Sequence, residues 1–134
     1  VAAHAAAALL LALLAWQADR AAAVESPTFD ETSHLVSGFS YWHARDFRLN
    51  PESGVFPQLW AALPLWLADA APPDFSGAAW RAGEDWLLAR EFLYGAGNDP
   101  EQLLRPARRM IVLLALALGV VVYVWSSRLY GAVG

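Results

Sequence analysis

Cysteine and lysine are both missing from this chain of 134 residues. Without cysteine, a disulfide scaffold, a Cys-ligated zinc and thiol catalysis are all excluded, and the redox compartment leaves no trace. Charge is scarce: 16% of residues are charged and 57% hydrophobic, with a mean hydropathy of +0.33. A soluble domain runs about 25% charged and about 45–50% apolar, so an ordinary soluble composition is excluded as well. Positive charge is the scarcer sign, nine Arg against 13 Asp and Glu, for a net −4 and a pI near 5.2. That balance lacks the footprint for neutralising phosphates, and a nucleic-acid partner is not expected. No glycine-rich phosphate loop, Gly-x-Ser-x-Gly elbow or zinc-protease motif occurs. What the chain has in quantity is aromatic surface, 13% with seven Trp, which is incompatible with disorder. Its length allows one ordinary domain at most. It begins at Val1 without an initiator Met, which reads as a removed segment or as a piece of something longer.

The charges are unevenly placed. Ala2 to Trp16 and Met110 to Ser127 carry none, and every Asp and Glu lies between Asp19 and Glu101. The carboxy-terminal run, Met110 to Trp125, is apolar all round rather than amphipathic. At about 16 residues it is a little short of the roughly 20 that cross a bilayer. Ala107 and Ser126–Tyr130 extend it, Arg109 and Arg128 can snorkel outward, and Tyr123, Trp125 and Tyr130 suit an interfacial aromatic belt. A buried helix of a soluble core is the alternative, but a chain of this size cannot enclose one. The amino-terminal run, centred on Leu9–Leu14, reads either as the apolar region of a signal peptide, with Ala21–Ala23 as cleavage residues, or as a first transmembrane helix lacking its start. Neither a Met nor a basic leader region precedes it, so the truncated helix is the expectation.

Between the two runs, Phe56–Ala68 is an apolar stretch of a length suited to an interfacial or re-entrant segment, opened by Pro57 and kinked at Pro64. Asp69–Gly77 is a turn-rich linker. One amphipathic helix is predicted over Ala78–Tyr94, ended by Gly95 and Gly97, with Arg81 and Asp85 paired at i,i+4. Asp99 and Pro100 start a short helix that Pro106 interrupts. The fold class expected is therefore an all-α membrane protein: a first transmembrane helix over 1–18, a long loop over 19–105 carrying interfacial helices, a second transmembrane helix over 106–130, and the start of a turn over 131–134.

The one constellation with chemistry follows the first apolar run: Asp30, Glu31, His34 and His43. If a helix starts near Asp30, Glu31 and His34 share a face at i,i+3. Adjacent carboxylates with separated proton affinities can divide base and binding roles. The plain alternative is a helix start, with Asp30 as N-cap and Glu31 in the first turn. A metal site from Glu31, His34 and His43 lacks the second carboxylate–His pair of a bridged centre, and His43 can instead cap an interfacial surface beside Tyr41 and Trp42.

An apolar helix followed by Phe29-Asp-Glu-x-x-His34-x-x-x-Gly38 resembles the start of the polyprenyl-phosphate-sugar-dependent glycosyltransferases of family 39, which include protein O-mannosyltransferases and bacterial lipid A aminoarabinose transferases. The likeness continues in order through Asp46–Pro51, Leu59–Leu65, Phe92–Tyr94, Gly97–Asp99, Leu104–Met110 and Val124–Gly131, nearly the whole chain. The resemblance implies a multi-spanning C-type glycosyltransferase fold in a bacterial inner membrane, with the loop outside and both termini inside. It implies that a sugar passes from a polyprenyl-phosphate donor to a hydroxyl acceptor with inversion. By position Asp30 would be the catalytic base or the organiser of a divalent metal ion, and Glu31 would support acceptor binding. His34 matches the motif as a substrate-binding residue. Arg45 and Arg48 are candidates for the donor phosphate by nearness in sequence, set against the plain reading of solvated surface arginines.

The chain departs from the family at Val55–Leu59, where members often carry a Pro-Pro-Leu-like segment, and it ends after two of roughly ten or more spans. Two helices cannot enclose both substrates, so the fragment alone is expected to be inactive. The other class of reading is a small two-span membrane protein whose Trp-rich loop binds a partner or the bilayer surface. Arg105, Arg108 and Arg109 lie on the loop side of the second span, against the positive-inside rule, though a loop this long partly escapes that rule. Contact with anionic headgroups is the role expected for this cluster.

Overall fold

The computed structural model describes residues 2–131, and among them every regular element is helical. In chain order these are α1 (Ala2–Val24), α2 (Phe29–His43), a 3-10 turn (Pro51–Ser53), α3 (Val55–Leu67), α4 (Ala78–Ala82), α5 (Asp85–Arg90) running on into a π turn (Glu91–Gly95), and α6 (Pro100–Tyr130). The all-α expectation holds. Two of the helices, α1 with 23 residues and α6 with 31, are long and apolar enough to cross a membrane. The start of a turn expected over 131–134 falls, beyond Gly131, outside the described residues.

The chain divides into two compact units. One comprises the described residues of 1–25 and 111–134. Its α1 is built largely from Ala and Leu, the best helix formers, and continues past residue 18 to Val24. None of its side chains is buried, and Leu9, Leu10 and Trp16 lie open, as for a helix facing lipid rather than a core. Leu11 meets Gly119, where an added Cβ would come within 2.6 Å of Leu11 Cδ2. His4, the one ionisable group in the first charge-free run, shares a hydrogen bond with the Tyr123 hydroxyl. Pairing 11 with 119 and 4 with 123 makes the two segments antiparallel.

The other unit, 26–110, is built around α2. From Ser33 to Tyr41 nearly every residue of α2 is buried, polar ones included. The serines are tolerated because they satisfy themselves: Ser37 Oγ donates to the Ser33 carbonyl at 2.7 Å, and Ser40 Oγ to that of Ser37 at 2.8 Å. Their small volume, with Gly38, lets α3 approach closely, so that a Cβ on Gly38 would lie 2.0 Å from the Gln58 carbonyl oxygen. Trp42 fastens the same pair of helices, its indole donating to the Leu59 carbonyl at 2.7 Å while its ring stacks on Trp66. On another side of α2, Phe39 stacks on Phe92 at 4.6 Å, and Leu88 and Leu93 close the core.

Two expected elements are redrawn. The single helix over 78–94 is divided at Gly83, whose φ of 71° gives α4 a left-handed cap. Arg81 and Asp85 therefore do not pair: Arg81 donates to the Ser76 carbonyl, and Asp85 accepts from Ser33. Pro106 does not interrupt α6, which starts at Pro100 and runs unbroken to Tyr130. The proline removes one N–H, and the Gln102 carbonyl it leaves without a helical donor belongs to an exposed residue that water can reach. Asp99 does start α6, accepting from the Glu101 N–H at 2.9 Å.

Candidate functional site

The site begins where the chain enters α2. The N-cap is Thr28 rather than Asp30, and it forms a capping box with Glu31, the Thr28 N–H donating to Glu31 Oε2 at 3.2 Å. Arg108, from α6, grips the same carboxylate side-on, Nε to Oε1 at 2.6 Å and Nη2 to Oε2 at 2.7 Å. The same guanidinium reaches the Ser26 carbonyl at 3.2 Å, so it fixes both the entering strand of chain and the first helical turn. Bidentate geometry with both side chains largely shielded makes this a strong ion pair. The headgroup role expected for the Arg105, Arg108 and Arg109 cluster therefore needs correction at Arg108, which faces an acid within the protein.

Asp30 stands apart. It is exposed in the first turn of α2, and its carboxylate makes no hydrogen bond or ion pair among the described residues. The two adjacent acids are thus unlike: Glu31 is held, and Asp30 is open to an incoming group. One turn on, at i+4 from Asp30, His34 is half-buried and its Nδ1 lies 3.2 Å from Asn50 Nδ2. Asn50 Nδ2 also donates to Ser33 Oγ at 3.1 Å, and Ser33 donates to Asp85 Oδ2. Phe29 stacks on Trp86 at 3.8 Å beside this link, so the first turn of α5 is seated on the first turn of α2.

Asn50 itself is pinned in the left-handed region, φ 44°, ψ 47°, where Asn is better tolerated than most residues. Gln58 Nε2 donates to its carbonyl at 3.0 Å, and Tyr41 donates to the preceding carbonyl, Leu49. Burial, and secondarily the charge of Glu52, push the Tyr41 phenol up to about 12, so it stays a donor at any ordinary pH.

The two arginines expected to serve the donor phosphate follow α2, before the 3-10 turn. Arg48 is bound to Asp46 at 2.6 and 2.9 Å, and its guanidinium carbon sits 4.7 Å from the Trp80 ring centroid. Its hydrogen bonds hold the Asp46 carboxyl below the usual range. Arg45 is exposed at φ 56°. Neither makes a hydrogen bond or ion pair with Asp30, Glu31 or His34.

Glu31, His34 and His43 are not brought together as a set of metal ligands. Both Glu31 oxygens are taken by Arg108, and His43 lies 12 residues further along α2, about 18 Å at 1.5 Å per residue, with its ring stacked on Phe39. No group of three His, Asp or Glu side chains able to hold a metal is gathered among the described residues.

Asn50 and Ser33 are absent from the residues the sequence singled out, and Arg108 and Asp85 stood there in other roles, at a headgroup and beside Arg81. Arg108 and Asn50 do fall inside the segments that carry the family likeness. Asn98 is similar: it brackets the 69–77 linker, donating to the Ala71 and Phe92 carbonyls at 2.8 and 2.7 Å and accepting from the Ala71 N–H at 3.0 Å. Compared with known proteins, the chain matches no protein-family model, no curated protein and no solved structure.

Proposed function

We propose that this chain is the amino-terminal part of an integral-membrane glycosyltransferase that moves a sugar from a polyprenyl-phosphate donor to a hydroxyl acceptor with inversion, Asp30 acting as base. The observation that carries the reading is the contrast between two neighbouring acids. Glu31 is engaged on both oxygens, while Asp30 offers a free carboxylate six residues after the end of an apolar helix. A general base must reach the proton it takes, and an unengaged carboxylate that follows an apolar helix closely in sequence can meet an acceptor hydroxyl while the lipid-linked donor stays in the bilayer. Glu31 then serves by holding the first turn of α2 in place through Arg108. Arg45 and Arg48 are left as surface residues in this reading. The segment alone is inactive, since two spans cannot enclose both substrates.

The test is Asp30→Asn in the full-length enzyme, assayed in membranes for transfer from a labelled polyprenyl-phosphate sugar. Loss of the base predicts a fall of about 10²–10⁴-fold in transfer with insertion unchanged. Transfer at the unmodified rate would end the proposal.

A second reading, a two-span membrane protein whose Trp-rich loop lies on a bilayer or partner, is favoured by α3. Its exposed Phe56 and Leu67 flank Trp60 on one face, and Trp60 donates to the Met110 carbonyl at 2.6 Å, at the threshold of the apolar run. Under that reading Asp30→Asn changes nothing, and polar substitution of Phe56 and Leu67 weakens binding to vesicles.

A further inference from the structure

The geometry points to Asn50 as a positioning residue that fixes the tautomer of His34, so that His34 presents an Nε2–H donor to a phosphate oxygen of the donor substrate. The inference rests on the glycosyltransferase reading for the identity of the ligand, but not for the tautomer. A count of protons fixes the orientation of the Asn50 amide. Ser33 has one hydroxyl proton, and Asp85 Oδ2, an acceptor only, receives it. Ser33 Oγ can therefore only accept from Asn50, which sets the amide with Nδ2 toward Ser33 at 3.1 Å. The opposite amide orientation would place Oδ1 against Ser33 Oγ, acceptor on acceptor.

The same Nδ2 faces His34 Nδ1 at 3.2 Å. An amide nitrogen carries two hydrogens, and Ser33 and His34 use both. His34 Nδ1 must then be an acceptor, and the one proton of a neutral imidazole lies on Nε2. Nε2 has no partner among the described residues, and His34 is half-exposed. Its position, i+4 from Asp30, places it on the same face of α2 as the free carboxylate. One group accepts a proton from the acceptor hydroxyl, and the other donates a hydrogen bond to an oxygen, which divides the two jobs that displacement at a sugar phosphate requires. The arrangement is rigid because the backbone of Asn50 is itself fastened by Gln58, and that of Leu49 by Tyr41.

The experiment is long-range ¹H–¹⁵N correlation on the ligand-free chain labelled at histidine, in detergent micelles at pH about 8.5, where a free imidazole is neutral. His34→Gln assigns the resonances against those of His4 and His43. The expected wild-type pattern has His34 Nδ1 unprotonated and pyridine-like, and Nε2 protonated and pyrrole-like. In Asn50→Asp the new carboxylate can only accept, and the two nitrogens exchange character. Ser33→Ala frees the amide to turn, and His34 moves toward the mixture of a free imidazole. A protonated Nδ1 in the wild type, or a pattern unmoved by Asn50→Asp, overturns the inference. Should either variant lose its helical circular dichroism, the wild type and the other variant decide. Asp30→Asn leaves the tautomer as it is, so failure of the catalytic proposal and failure of this one are read separately.

Discussion

Tyr41 ties a buried hydroxyl to a pH limit. Only 1% of the residue is exposed, its hydroxyl donates to the Leu49 carbonyl, and its proton is held up to about 12 against an ordinary 10.0. The folded chain therefore keeps this proton where the unfolded chain has released it. Stability from this group is complete below pH 10 and falls as the pH rises to about 12, by about 2–3 kcal/mol at 1.36 kcal/mol per unit. Denaturation midpoints taken across that window should decline, and Tyr41→Phe should flatten the decline while lowering stability by about 1 kcal/mol at neutral pH. At this scale the sequence was legible in part. Asp30, Glu31 and His34 stood out because ionisable groups are rare here and these three sit within one helical turn. The hold of Arg108 on Glu31 was not legible, since it joins residues 77 apart and no local spacing signals it.

Among the elements, the contact of α2 with α3 is the tightest to test. Gly38→Ala drives a methyl into the Gln58 carbonyl, a backbone atom that cannot turn aside, and should cost about 3 kcal/mol with loss of the α2–α3 packing. Gly119→Ala is the control, because its nearest neighbour is the flexible end of Leu11. The two variants, compared by thermal denaturation in detergent, should differ clearly. Helix existence was legible from the apolar runs and from Pro and Gly. Helix limits were less so. In sequence Gly83 is one residue of a long amphipathic pattern, yet a left-handed cap there frees Asp85 to meet Ser33, a gain visible only once α2 is in place. Pro106 signals an interruption in sequence, but a single missing N–H near an exposed turn is outweighed by a helix anchored at Asp99 and extended through apolar residues to Tyr130.

Across the whole chain, composition alone announced the all-helical, apolar character and the two long helices, because charge-free runs of that length have few other uses. What composition does not encode is order in time. Ribosomes release the chain from its amino end, and the helices α2 and α3 are complete by Leu67. Their acid Glu31 must then wait for Arg108, which is made 77 residues after it and just before the second apolar run. On chains tethered to the ribosome and lengthened stepwise, protease resistance of the amino-terminal part should therefore rise sharply only when residue 108 has emerged, and Arg108→Gln should blunt that step. The ion pair thus couples the first turn of α2, already capped by Thr28, to the delivery of the helix that carries the second apolar segment.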